Sequence, residues 1–110
     1  LSATVTILGG MLNIKPVVLI KDGHISILHK ARGMKAAARW MVDYVAQTGF
    51  DKSLPIGFIH SDNPEGAVEV RAMLAEKTTW GEEMTQGIGP VIGTHIGDGC
   101  VAIACFWNEK

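Results

Sequence analysis

In PVVLIKDGHISIL (residues 16–28) two β-rich runs flank one Asp22-Gly23 pair. An Asp-Gly pair supplies the positive φ angles of a tight two-residue turn, so the stretch predicts a β-hairpin. Pro16 lacks an N–H and suits the opening of the first strand, not the middle of a ladder. Downstream, GMKAAARWMVDYVAQTG (33–49) sets Met34, Ala37, Ala38, Met41, Val42 and Val45 on one stripe, opposite Lys35, Arg39, Asp43 and Gln47. That is an amphipathic helix, with Gly49 as its stop. LPIGFIH (54–60) reads as a short buried strand. SDNPEGAVEVRAMLAEK (61–77) predicts a second helix, capped by Asn63, with Pro64 first and Glu65 in the opening turn. Its apolar side is Ala67, Val70, Met73 and Leu74.

The ends of the chain are less uniform. LSATVTILGGMLNI (1–14) spaces Leu1, Val5, Leu8, Met11 and Leu12 as a helix would, with Ser2 as cap. Its β-branched residues and Gly9-Gly10 leave helix and strand close to even on propensity. TTWGEEMTQG (78–87) is a weaker strand candidate, GPVIGTHIGDG (89–99) reads as a glycine-rich loop, and CVAIACFW (100–107), apolar on both faces, as a central strand. The order is helix, two strands, helix, strand, helix, strand, loop, strand. A hairpin followed by helices that connect strands implies a mixed sheet with the helices packed on it, a two-layer α/β sandwich.

The 110 residues suffice for one domain and one core, and 47% hydrophobic against 19% charged residues is the balance of a packed globular protein. The formal net charge of −1 and the lack of a basic stripe argue against a nucleic-acid binder. Apolar runs are broken well short of a bilayer span, and no secretory leader is legible. Opening on Leu1 inside an element suggests a domain excised from a longer chain. Cys100 and Cys105 have odd spacing on one strand, which points them to opposite faces and disfavours a disulfide. They read as buried, reduced thiols of a cytoplasmic protein.

No histidine or cysteine pair has the close spacing of a zinc site. His24 and His29, five apart on one strand, are expected on opposite faces, and His60 is placed either to help cap the second helix or to sit near the site. A G-x-S-x-G elbow and a P-loop are both absent. The chemistry therefore concentrates in GPVIGTHIGDG, where four of eleven residues are glycine around His95. Consecutive amides in such a turn can form an anion-binding nest, and Thr94 and His95 add a hydroxyl and an imidazole.

LNIKPVVLIKDG (12–23), HKAR (29–32), SDNPE (61–65) and above all GPVIGTHIGDG resemble the C-terminal domain of the DegV family. The resemblance runs in order over essentially the whole chain, residues 1–110. Ile96 stands where the family commonly has threonine, and Asp98 where it commonly has proline. The resemblance implies a bacterial carrier that is not itself an enzyme and uses no cofactor or metal. It would hold a long-chain fatty acid between this domain and an N-terminal DegV domain. It would present the carboxylate to the catalytic subunit of a fatty acid kinase, for phosphorylation to acyl phosphate in phospholipid synthesis. On that pattern Gly93, Thr94 and His95 hold the carboxylate and Arg32 contacts the kinase. Leu8, Met11, Leu12 and Ile92 would line the acyl tail. The competing expectation is a phosphotransferase domain related to dihydroxyacetone kinase, which would require a metal–nucleotide site.

Overall fold

The hairpin forms as its turn chemistry requires. The computed structural model describes residues 13–87, 89–96 and 99–107. In it β1 (Ile14–Lys21) and β2 (His24–Arg32) pair antiparallel from Lys21↔His24 outward, with Asp22 at φ 53° and Gly23 at φ 76° closing the turn. The helix α1 (Met34–Thr48) follows and stops at Gly49, whose φ is 76°. After β3 (Ile56–Ser61) comes α2 (Pro64–Ala75), where the Asn63 side chain accepts the Gly66 amide at 3.1 Å. His60 assists this cap, its Nδ1 accepting from the Asn63 amide at 3.1 Å.

Three more strands complete one six-stranded sheet: β4 (Glu83–Met84), β5 (Val91–Ile96) and β6 (Gly99–Ala104). The spatial order is β2-β1-β5-β6-β3-β4, antiparallel throughout except for the parallel β3–β4 pair. The sheet is therefore mixed, and with α1 and α2 on it the architecture is a two-layer α/β sandwich. The segment 100–107 contributes β6, an interior strand between β5 and β3. Among the described residues no helix is long and apolar enough to cross a membrane.

Both described helices pack on the same face of the sheet, α1 over β5, β2 and β1 and α2 over β3 and β6. Between the layers lie Val17, Ile56, Ile92, Val101 and Ile103 from the sheet, with Met41, Val42, Val45, Val70 and Leu74 from the helices. All ten are fully buried. Each such side chain contributes about 1.5–3 kcal/mol through removal from water, so this interface is the main stabiliser of the fold.

Several sequence expectations are corrected here. GPVIGTHIGDG is not a loop, because Val91–Ile96 of it is β5, hydrogen-bonded on both sides. TTWGEEMTQG yields only the two-residue β4, since glycines flank a stretch with no apolar alternation. His24 and His29 do not point to opposite faces. The register jumps from Val18↔Ile27 to Val17↔His29, leaving Leu28 as an extra residue, and a bulge of one residue inverts the alternation. His29 thereby reaches the helix side and stacks on Trp40 of α1, ring centroids 4.6 Å apart. Cys105 is buried, but Cys100 is exposed, against the expectation of two buried thiols; neither is in a disulfide. The helix expected over the N-terminal stretch, with Leu8, Met11 and Leu12, lies outside the described residues, as does Asp98; Ile14 already belongs to β1.

Candidate functional site

The face of the sheet away from the helices carries a shallow trough of about 260 Å³ along β1, β5 and β6. Strand alternation selects its lining: Val18 and Ile20 from β1, Val91, Gly93 and His95 from β5, Cys100 and Ala102 from β6. Gly93 makes the concavity possible. A Cβ on it would lie 3.0 Å from the Ala102 Cβ and 3.1 Å from the Val101 carbonyl oxygen. With glycine facing alanine across the ladder, the floor sinks between the flanking aliphatic side chains.

The lining is apolar except at one end. There His95 and Cys100 stand directly opposite each other across β5–β6, both exposed. The trough thus combines an aliphatic floor with one polar station, a combination suited to an amphipathic ligand with a single polar end. Burial pushes the other thiol, Cys105, up to about 12, which keeps it protonated and unreactive.

The sequence-predicted residues separate across the sheet. His95 and Gly93 face the trough. Thr94 is buried on the helix side, where its hydroxyl donates to the Pro16 carbonyl at 2.7 Å and so braces β5 against β1. Its hydroxyl is therefore committed to the scaffold, and the amides of β5 belong to its two ladders instead of forming a concave nest. Ile92 is likewise on the helix side, fully buried in the core, and lines no part of the trough. Arg32 ends β2 opposite Ile14 and is exposed. Leu8, Met11 and Leu12 lie outside the described residues. Reasoning from the sequence missed Cys100. Reading β5 and β6 as a hairpin about Gly97-Asp98 would have set positions 95 and 100 opposite each other.

A larger groove of about 490 Å³ runs between the first turns of α1 and α2. Lys35 and Arg39 stand on one wall and Glu65 and Glu69 on the other, over Ala38, Met73 and Ile96. Its rims carry both signs of charge along their length, unlike the single polar end of the trough. Among the described residues no three His, Cys, Asp or Glu side chains converge as metal ligands.

The family model described as uncharacterised protein, DegV family, matches residues 1–108. A DegV domain-containing protein of Caldanaerobacter subterraneus subsp. tengcongensis is 37% identical over 111 aligned residues, covering 100% of this chain and 39% of the relative. One from Streptococcus pneumoniae is 33% identical over 104 residues, covering 94% of this chain and 37% of its own. The chain thus spans less than half the length of these curated relatives. Among solved structures, TM841 from Thermotoga maritima, a protein whose structure revealed a fatty acid binding function, superposes with a TM-score of 0.57. It covers 97% of this chain and 47% of its own at 16% identity, a likeness of fold. The match of the family model to residues 1–108, in a chain whose mixed sheet carries the glycine-floored strand of Gly93 and His95, places the chain in the DegV family.

Proposed function

We propose that the chain is the C-terminal domain of a fatty-acid-binding protein, and that the trough holds the start of the acyl chain with His95 at the carboxylate. The observation that carries this reading is the single imidazole at the end of an otherwise apolar trough. A free fatty acid has the matching shape, one anionic end on a long apolar tail. The trough's volume of about 260 Å³ falls below the roughly 300–1,000 Å³ of a complete small-molecule site. The ligand therefore needs a second wall, which we assign to an N-terminal DegV domain in the part of the longer relatives that this chain does not span.

On this reading the domain binds and presents its ligand and performs no chemistry on the free acid. Arg32 is exposed at the end of β2, where a partner can reach it. We assign it to the contact with a fatty acid kinase that phosphorylates the presented carboxylate. Arg32→Ala in the intact protein is expected to keep fatty acid binding and to lower acyl phosphate formation. Equal loss of both would move Arg32 into the ligand site.

The decisive measurement is titration of a fluorescent fatty acid against the intact protein and its His95→Ala variant. A hydrogen bond to a charged group contributes about 1.5–3 kcal/mol, so the variant should bind roughly tenfold to hundredfold more weakly. Tail burial at about 0.8 kcal/mol per CH₂ keeps binding measurable. Unchanged affinity would remove His95 from the site.

A further inference from the structure

His95 shares its end of the trough with a thiol that carrying a free carboxylate does not require. Cys100 is its direct cross-strand partner, and such partners hold their Cβ atoms about 4.5–5.5 Å apart. That spacing lets an imidazole nitrogen reach a thiol. Both side chains are exposed, and both line the same apolar concavity. Here a nucleophile, an adjacent base and an apolar trough meet at one point, the arrangement of a covalent acyl acceptor. Cys105 provides an internal contrast: it is buried in the core, with its thiol pushed up to about 12.

We propose that Cys100 is an S-acylation site for the activated form of the ligand, an inference that rests on the trough being the fatty acid site. A ligand with its polar end at His95 brings its carbonyl carbon beside the Cys100 sulfur. As a free carboxylate that carbon is inert to the thiol. As an acyl phosphate or an acyl thioester it carries a competent leaving group. The Cys100 sulfur then bonds to the carbonyl carbon while the bond from that carbon to the phosphate oxygen, or to the donor sulfur, breaks. The thiol proton passes to His95 and from there to the departing phosphate or thiolate. Nothing is oxidised or reduced, and the product is a thioester on Cys100.

The test uses the intact protein with palmitoyl phosphate in one arm and palmitoyl-coenzyme A in the other, read by intact mass and peptide mapping. The expected result is one acyl group on Cys100, released by neutral hydroxylamine and suppressed by excess palmitate. The donor that works identifies the source of the activated acyl group. His95→Gln should slow the reaction roughly a hundredfold, the lower range of general-base assistance. Cys100→Ser should form no thioester. Acylation of lysines or Cys105, a rate no faster than that of N-acetylcysteine, or indifference to palmitate would overturn the proposal. The palmitate competition in the unaltered protein does so without relying on a variant that folds. Palmitate binding to the same preparation separates the two readings. Binding without acylation sinks Cys100 as an acceptor and leaves the carrier standing, whereas no binding sinks the carrier.

Discussion

The two faces of this sheet are built from the same strands and do opposite things. On the helix side β5 presents Ile92 and Thr94, and β6 presents Val101 and Ile103, all buried. On the other side the same strands present Gly93 and His95, and Cys100 and Ala102. Toward the β1–β2 end that second face also leaves Ile20, Ile25 and Ile27 at 46%, 72% and 59% exposure. Stability is thus concentrated on one side, which leaves the other free to carry small residues, a concavity and reactive groups. Substitutions on the two sides should therefore differ in what they damage.

The largest expected effect lies on the packed side. Ile103→Ala removes a fully buried side chain from between sheet and helices, and should cost about 2–5 kcal/mol in a denaturant titration. A loss below about 1 kcal/mol would mean that the helices do not form the principal interface. Gly93→Val should rank next. Its Cβ meets Ala102 and the Val101 carbonyl, so the ladder must shift, with a cost of about 1–3 kcal/mol. Because the added methyl groups also fill the trough, fatty acid titration should show lost binding under conditions where the variant remains folded. Full affinity would place the ligand elsewhere.

The packed side was also the more legible one. The α1 stripe from Ala37 to Val45 and the cap at Asn63 are written in local spacing, because helix periodicity and capping depend on residues three or four apart. The Asp22-Gly23 turn is equally local. His95 could be singled out by its glycines, but the reason for those glycines was not local. Gly93 answers to Ala102 on the neighbouring strand, a reason that spacing along the chain does not carry, so its sequence reads as a loop. The bulge at Leu28 is set by pairing between β1 and β2, and no residue type announces it. Cys100 became part of the candidate site only once the register was known.

Smaller effects are expected where the helix layer reaches the outer edge of the sheet. Glu83 of β4 accepts from Arg71 of α2 at 2.6 Å and from the Trp80 indole at 2.9 Å. The Arg71 hydrogen bonds, then that of Trp80, hold the Glu83 carboxyl below its ordinary value near 4.5. A carboxyl depressed in the folded state stabilises it above that value, and the contribution disappears as pH falls through the folded pKa. Glu83→Gln should therefore lower the thermal midpoint slightly at pH 7, with the gap to the unaltered chain closing below about pH 4.5. A gap constant with pH would show that the ionised carboxylate contributes nothing, neither as an ion-pair partner nor as a hydrogen-bond acceptor.

The smallest effect should come from the exposed aliphatic residues themselves. Ile25 and Ile20 are cross-strand partners on the trough side, and Ile27 faces Val18 next to them. At 72% and 59% exposure, Ile25 and Ile27 gain little from the fold of this chain. Ile25→Ser and Ile27→Ser should each change its stability by no more than about 0.5 kcal/mol, as surface substitutions do. In the longer protein the expectation reverses if a second domain closes over this face, because each isoleucine then becomes buried and its replacement costs about 1.5–3 kcal/mol. Paired denaturant titrations of the 110-residue chain and the intact protein measure that difference directly. Equal, near-zero effects in both would leave Ile25 and Ile27 in water and confine any second wall to the trough around His95.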